Sequence, residues 1–202
     1  MNPHFIYNTI NGIQSVMILK GEEMANKYVG VFSKMLRTTM DMAVSENLSL
    51  ADEIEYLRSY VLLQNIRLEY PIKIVTEFDE NINPQKVLIL PMLLQPIIEN
   101  SVLHGLSSLK RSGNIVIKAR TSQDLLHLVI EDDGIGRKAS LDKKKSNMVQ
   151  HKSHATKILK ERIDLLNYLE KAKSEFYLED LVKNARIIGT RAVLTIPKKI
   201  NT

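Results

Sequence analysis

Residues 90–106 read LPMLLQPIIENSVLHGL, and this stretch decides how the rest of the chain is understood. Pro91 and Pro96 punctuate its start, and a helix is expected from there to Gly105, a natural C-terminal stop. Leu93, Leu94, Ile97, Ile98, Val102 and Leu103 give that helix a broad apolar face. Glu99, Asn100 and His104 are set into it. Asn100 and His104 are four apart, so both side chains are expected on one side of the helix. A buried-type helix carrying a carboxylate, an amide and an imidazole has either a polar network to satisfy or a ligand to hold. The helix alone leaves both open.

On either side of it, after Pro71, the texture is that of strands. Ile72 to Phe78 alternates before it, and Asn114 to Thr121 and Leu125 to Glu131 read as a pair after it. Asp132-Asp133-Gly134-Ile135-Gly136 ends the second of these. Residues 137–153 are poor in apolar side chains and rich in Lys and Ser, which predicts a long loop. Ala155 to Ala172 is expected to be helical, with Ile158, Leu159, Ile163, Leu166 and Leu169 on one side. Glu175 to Val182 and Arg186 to Ile196 read as a closing hairpin.

On its N-terminal side the chain reads as helices. Asn2-Pro3 opens the first as a cap and first-turn proline, and Ile6, Ile10, Ile13 and Met17 form its stripe. A second stripe runs through Met24, Tyr28, Val31, Met35 and Met42 after Gly21. Ser49 and Asp52 form a capping box for a third helix, which should end before Pro71. The expected organisation is therefore α+β: a helical region over residues 1–70 and an α/β part over residues 71–202. The heptad-like spacing suits a helical hairpin completed by a second copy of the chain.

Composition narrows the function classes. The chain has 202 residues, 44% of them hydrophobic and 25% charged, with no Cys and no Trp. Disulfides and thiolate metal sites are excluded, and a reducing compartment fits. The longest apolar-rich run, residues 87–98, falls short of the about 20 residues of a membrane span. The first ten residues lack the pattern of a signal peptide. A net charge of +5 suits a phosphate-bearing ligand and nucleic acid equally.

Three groups carry chemistry. His4 lies roughly 150° around the first helix from the middle of its stripe, on the wet face. Asn8 and Asn11 stand in line with it, four and seven residues on. An imidazole with two amides beside it is compatible with a reactive group whose neighbours orient it or its adduct; a plain surface histidine is the bland alternative. The acidic-glycine turn at 132–136 permits close backbone approach to a ligand, and an Asp at a strand end can accept from an exocyclic amine. By itself it is also compatible with a bulged β-turn. Arg137, Lys138, Lys143 to Lys145, Lys152 and Lys157 form either a solvated loop or a lid whose cations meet phosphates.

These motifs together resemble those of the LytS/YehU-like sensor histidine kinases. Asn2-Pro3-His4-Phe5-Ile6-Tyr7-Asn8-Thr9-Ile10-Asn11 is similar to that family's phosphoacceptor box. Leu90-Pro91 through Gln95-Pro96, Glu99-Asn100 and His104-Gly105 is similar to its asparagine box. Residues 132–136 resemble its first glycine box. Glu161-Arg162-Ile163 resembles the E-R-L that follows its second glycine box, and Gly189-Thr190-Arg191 its terminal strand. The resemblance implies a Bergerat-type ATP-binding α/β sandwich, as in histidine kinases, gyrase and Hsp90, behind a helical dimerisation and phosphotransfer region.

It also implies roles. His4 would accept the γ-phosphoryl group of ATP, flanked by Asn8 and Asn11. Asn100 would coordinate Mg²⁺, and Asp132 would hold the adenine amine. Gly134 and Gly136 would shape the turn, with His104, Lys152 and Thr190 also at the nucleotide. The phosphoryl group would pass to an Asp of a response regulator, with no direct nucleic-acid partner. The chain would be the cytoplasmic catalytic part of a longer, membrane-anchored bacterial receptor, reaching an inner membrane only through segments upstream. There are departures. Ser153-His154-Ala155 stands where the family has a second G-x-G, Ile158 where Asn is common, and Asp133 where Asn is more usual. They imply a looser lid and weaker ATP binding. The alternative reading is a degenerate module that binds nucleotide weakly or not at all and signals by dimerising. Phe5 follows His4, so the adjacent acid used as a base by many other histidine kinases is absent.

Overall fold

The structure is a computed structural model that describes residues 3–137, 139, 154–170 and 173–201, with side chains at 154–156, 169 and 170 outside the description. Helices α1 (Pro3–Lys20) and α2 (Glu22–Val44) pack as a hairpin through Gly21, whose φ of +88° a side chain would resist. The buried face of α1 differs from the expected stripe. Phe5, Thr9, Gly12, Ile13 and Val16 are covered, whereas Ile10 is 42% and Met17 55% exposed. The reason is steric. Two apolar stripes lie side by side on α1, and the one containing Thr9 and Gly12 lets a neighbour approach closely. A Cβ on Gly12 would meet Ile66 Cγ2 at 3.0 Å. On α2, Met35 and Met42 are buried as expected, while Met24 faces out.

Helix α3 (Leu50–Asn65) begins at the expected cap: the Asp52 amide donates to Ser49 Oγ at 3.0 Å. It ends at Asn65, earlier than Pro71 requires. The Asn65 side chain then bridges the turn, donating to the Ile72 carbonyl and accepting from the Ile72 amide, each at 2.9 Å.

Five strands form the main sheet in the order β2 (Ile72–Phe78), β4 (Gly113–Ser122), β5 (Leu125–Asp132), β7 (Arg186–Pro197) and β6 (Glu175–Lys183). β2 and β4 are parallel, and the other neighbours are antiparallel. The alternation read from sequence is the alternation observed. Ile115, Ile117 and Ala119, then Leu126, Leu128 and Ile130, then Ala192, Leu194 and Ile196 all turn to one covered face. Three short strands escape a reading by periodicity, β1 (Leu48–Ser49), β3 (Val87–Ile89) and β8 (Lys199–Ile200), which pair as a second small sheet. Strands of two or three residues carry no pattern to read. Helix α5 (His154–Glu170) covers the sheet with Leu159, Ile163 and Leu166; Ile158, expected on that side, is 52% exposed. One hydrophobic cluster runs from Phe5 and α3 through the sheet to Ile196.

The opening stretch is built differently from the continuous helix expected. Residues 90–94 are an irregular loop with Met92 at φ +57°, α4 spans Gln95–Asn100, and a π-helical segment continues it over Ser101–Leu106. Leu103, expected in the apolar face, is 47% exposed. The wider π-turn rotates side chains relative to an α-helix, and such turns recur at functional sites.

The start of α4 carries no cap of its own. Its acceptor comes from α3. Glu53, fully buried, accepts from the Leu94 amide at 2.6 Å, with the Leu93 and Gln95 amides also directed at its carboxyl. Arg162 on α5 grips the same loop from the other side, donating to the carbonyls of Pro91 (2.7 Å) and Met92 (3.2 Å). Burial pushes the Glu53 carboxyl up from 4.5 to about 7, against the pull of the amides and of Arg162. A carboxyl raised in the folded state stabilises the fold while neutral and loses that contribution as pH rises through about 7. Glu53 should thus account for roughly 3 kcal/mol of declining stability between acid and neutral pH. Glu53→Gln keeps an acceptor for Leu94 and has no proton to lose. Its melting temperature should fall less than that of the parent between about pH 5 and 7.5. Parallel melting curves for the two proteins would rule out this role for Glu53.

Candidate functional site

The site is assembled where the end of β5 meets the α4–π junction. Asp132, the last residue of β5, is 5% exposed. Its Oδ2 accepts from Ser101 Oγ at 2.8 Å and its Oδ1 from the Gly134 amide at 3.0 Å, with the Thr190 amide of β7 also donating. Burial raises the Asp132 carboxyl above the ordinary aspartate range, and those three donors offset only part of the effect. Ser101, which no motif had singled out, is adjacent to Asn100. The hydroxyl therefore locks the buried carboxylate to the helix that carries the amide.

The glycines are explained by packing. Ile135 donates to the Gly105 carbonyl at 3.1 Å, so the acidic-glycine turn docks on the π-helical segment. A Cβ on Gly134 would lie 2.7 Å from the Gly105 carbonyl carbon and oxygen, and one on Gly105 would press on Asp132 Oδ1 at 3.2 Å. Gly136 has φ +78°, and a Cβ there would overlap Ile187. Asn100 and His104, both half-buried, stand on either side of the α-to-π transition. Thr190 pairs with Asp132 in the β5–β7 ladder.

Asp133 plays a different part from its neighbour. Its Oδ1 accepts from the Asn114 amide, and its Oδ2 from Asn114 Nδ2 and from Arg111 at 2.8 Å. Burial opposes ionisation, but the Asn114 donors and the Arg111 guanidinium prevail and hold Asp133 below the usual range. Asp133 thus ties the end of β5 to the start of β4 and to Arg111.

His4 is exposed near the start of α1. The Asn8 amide nitrogen lies 2.9 Å from its Nδ1 and 3.3 Å from its Nε2. This realises the expected pairing. Asn11 is exposed further along the same helix. His4 shares a cleft of about 230 Å³ with Glu99, the residue before Asn100, and with Gln64 and Arg67 of the α3 end. Lys152, Ser153 and the Lys143 to Lys145 run lie outside the described residues, as do the side chains of His154 and Ala155. Lys157 is described, exposed, and paired with Glu161 at 3.6 Å.

Comparison with known proteins agrees with this arrangement. Residues 1–72 match the histidine kinase family model. A sensor-like histidine kinase of Staphylococcus epidermidis is 35% identical over 138 residues, 68% of this chain and 26% of that protein. The sensor protein kinase HptS of Staphylococcus aureus is 36% identical over 138 residues, again 68% of this chain and 26% of the relative. The matched segment thus spans about a quarter of the length of the curated relatives. In fold, the histidine kinase domain of the blue-light activated kinase from Erythrobacter litoralis aligns at TM-score 0.50 and 18% identity, covering 92% of this chain and 81% of that one. The mycobacterial sensor histidine kinase MprB aligns at TM-score 0.53 and 13% identity, covering 77% of this chain and all of that one. A helical region bearing His4 in its motif, followed by a sandwich in which Asp132 is fastened to the asparagine helix, places the chain in the sensor histidine kinase family.

Proposed function

We propose that this chain is the catalytic part of a two-component sensor kinase. It phosphorylates its own His4 from Mg-ATP and passes the phosphoryl group to an aspartate of a response regulator. Residues 1–70 supply phosphotransfer and dimerisation, and residues 71–202 hold the nucleotide. The observation that carries the reading is the Ser101–Asp132 bond at 2.8 Å, which fastens a buried acceptor suited to adenine to the helix that carries Asn100. Asp132 accepts from the adenine amine, while His104, Gly134, Gly136, Lys152 and Thr190 contribute to nucleotide binding. Asn100 presents a hard amide oxygen, which fits a metal that takes one or two protein ligands and draws the rest from phosphates and water. Bound there, Mg²⁺ would neutralise phosphate charge. The protein's own part is positioning, which is most of what phosphoryl transfer requires. Imidazole offers a ring-nitrogen lone pair as the nucleophile.

A second copy of the chain fits the helical region. Ile10, Met17, Ile18 and Leu19 of α1 and Met40 and Val44 of α2 are exposed apolar side chains on one hairpin. Pairing two hairpins into a four-helix bundle would cover them. No described helix is long and apolar enough to cross a membrane. A membrane anchor and a signal-sensing part belong, on this reading, to other segments of a receptor whose catalytic end faces the cytoplasm.

The test is incubation of the chain with γ-labelled ATP and Mg²⁺, followed by assay for an acid-labile phosphoryl group. A chain that binds nucleotide and takes up no label would be the weakly binding or inactive module instead. The nucleotide site has its own test. In Asp132→Asn the new amide can donate to Ser101 while the retained oxygen serves Gly134, so the fold survives. An NH₂ group then stands where adenine needs an acceptor. ATP affinity measured by calorimetry should drop about 30-fold, or roughly 2 kcal/mol. Unchanged affinity would remove Asp132 from the site.

A further inference from the structure

We propose that Arg67 is the cation that receives the phosphoryl group as it arrives on His4. The inference rests on the kinase reading above. The starting point is the cleft of about 230 Å³ at the meeting of α1, the end of α3 and the α4–π helix, lined by His4, Asn8, Gln64, Arg67, Glu99 and Ser107 among others. Its walls are fixed. Phe5, next to His4, is buried against Tyr60 with ring centroids 5.0 Å apart, and Gln64 Nε2 donates to the Tyr60 hydroxyl at 3.0 Å. Arg67 enters along α1. A Cβ on Gly12 would meet its Cγ at 3.4 Å and its Cδ at 3.7 Å, so the arginine stem lies across the bare backbone at Gly12. The Arg67 amide, bonded to the Gln64 carbonyl at 3.2 Å, anchors its other end.

The guanidinium forms no ion pair with any described residue. An exposed charged fork that lines the same cleft as the acceptor imidazole, its stem laid against Gly12 and with no carboxylate paired to it among the described residues, is arranged for an anion that arrives during the reaction. A transferring phosphoryl group is such an anion, with charge spread over its peripheral oxygens. The planar fork matches two of those oxygens at once, which an ammonium cannot do. In the step, a ring nitrogen of His4 bonds to the γ-phosphorus and the bond from that phosphorus to the bridging oxygen breaks. The electron pair leaves with ADP. The proton on the other ring nitrogen passes to Glu99, the one carboxylate among the described lining residues of the cleft. The phosphohistidine is left with its oxygens against Arg67.

The experiment uses the whole chain and two phosphodonors. With γ-labelled ATP and Mg²⁺, Arg67→Ala should slow labelling of His4 at saturating ATP by about 100-fold, the cost typical of losing one preorganised charge stabiliser. The KM for ATP should change by less than about threefold, because ground-state nucleotide binding does not involve Arg67. Arg67→Lys should recover part of the rate. Phosphoramidate, which phosphorylates exposed imidazoles without any nucleotide, gives the second arm: phosphohistidine made this way should hydrolyse several-fold faster in Arg67→Ala and Arg67→Gln than in the parent. Labelling rates and lifetimes all within about threefold of the parent would overturn the proposal. A parent that is never labelled by ATP would count against the kinase reading; the phosphoramidate lifetimes would then decide Arg67 alone, equal lifetimes refuting it.

Discussion

His4→Gln should take up no acid-labile phosphoryl group from γ-labelled ATP under conditions in which the parent is labelled. The expectation follows from chemistry that glutamine cannot replace. Its amide nitrogen has no available lone pair, whereas the imidazole offers one ring nitrogen as nucleophile while the other carries the proton. The effect should be all-or-none because the remaining described histidines are placed elsewhere. His127 lies in the middle of β5 against Thr195, His104 sits on the π-helical segment, and His154 begins α5. His4 is exposed, so its removal should change stability by no more than about 0.5 kcal/mol, and loss of label cannot be ascribed to unfolding. Nucleotide binding should be retained, since Asp132 and Asn100 are untouched. A variant labelled as strongly as the parent would show that the acceptor is another residue.

The second large effect is structural. Gly189→Ala should destabilise the chain by more than about 4 kcal/mol and abolish nucleotide binding with it. Gly189 lies in β7, and a Cβ there would overlap the carbonyl oxygen of Asp132 and approach the Asp133 Cα at 3.2 Å. Neither neighbour is the free end of a flexible side chain. Relief requires β5 and β7 to separate at the point where Asp132 leaves the ladder for the glycine turn. The same substitution in α2 makes the contrast. Gly30 has no atom within 4 Å of a prospective Cβ, so Gly30→Ala should stabilise the helix by about 0.5–1 kcal/mol. Thermal unfolding of the pair decides the matter. Should Gly189→Ala melt within a few degrees of the parent, the close approach of the two strands is not what requires glycine there.

Much of this protein follows from the order of its residues alone. The four long strands after residue 110 declare themselves by alternation, because a sheet with one covered face demands it. The third helix declares its start through Ser49 and Asp52, because a capping box is complete within four residues. His4 with Asn8 is legible for the same reason: a helix brings residues four apart into contact whatever surrounds it. What the tertiary structure decided lies at longer range. Two apolar stripes compete on α1, and only the close approach of Ile66 and Arg67 at Gly12 settles which is buried. Adjacent aspartates at 132 and 133 look interchangeable in sequence; one is sealed in by Ser101 and Gly134, the other spent on Arg111 and Asn114. The loop before α4 is held by Glu53 and Arg162, and the cleft at His4 takes Arg67 from the turn after α3 and Glu99 from α4. Local periodicity reports which face of an element is apolar. Which polar groups complete one another across tens of residues is set by packing, and no local pattern encodes it.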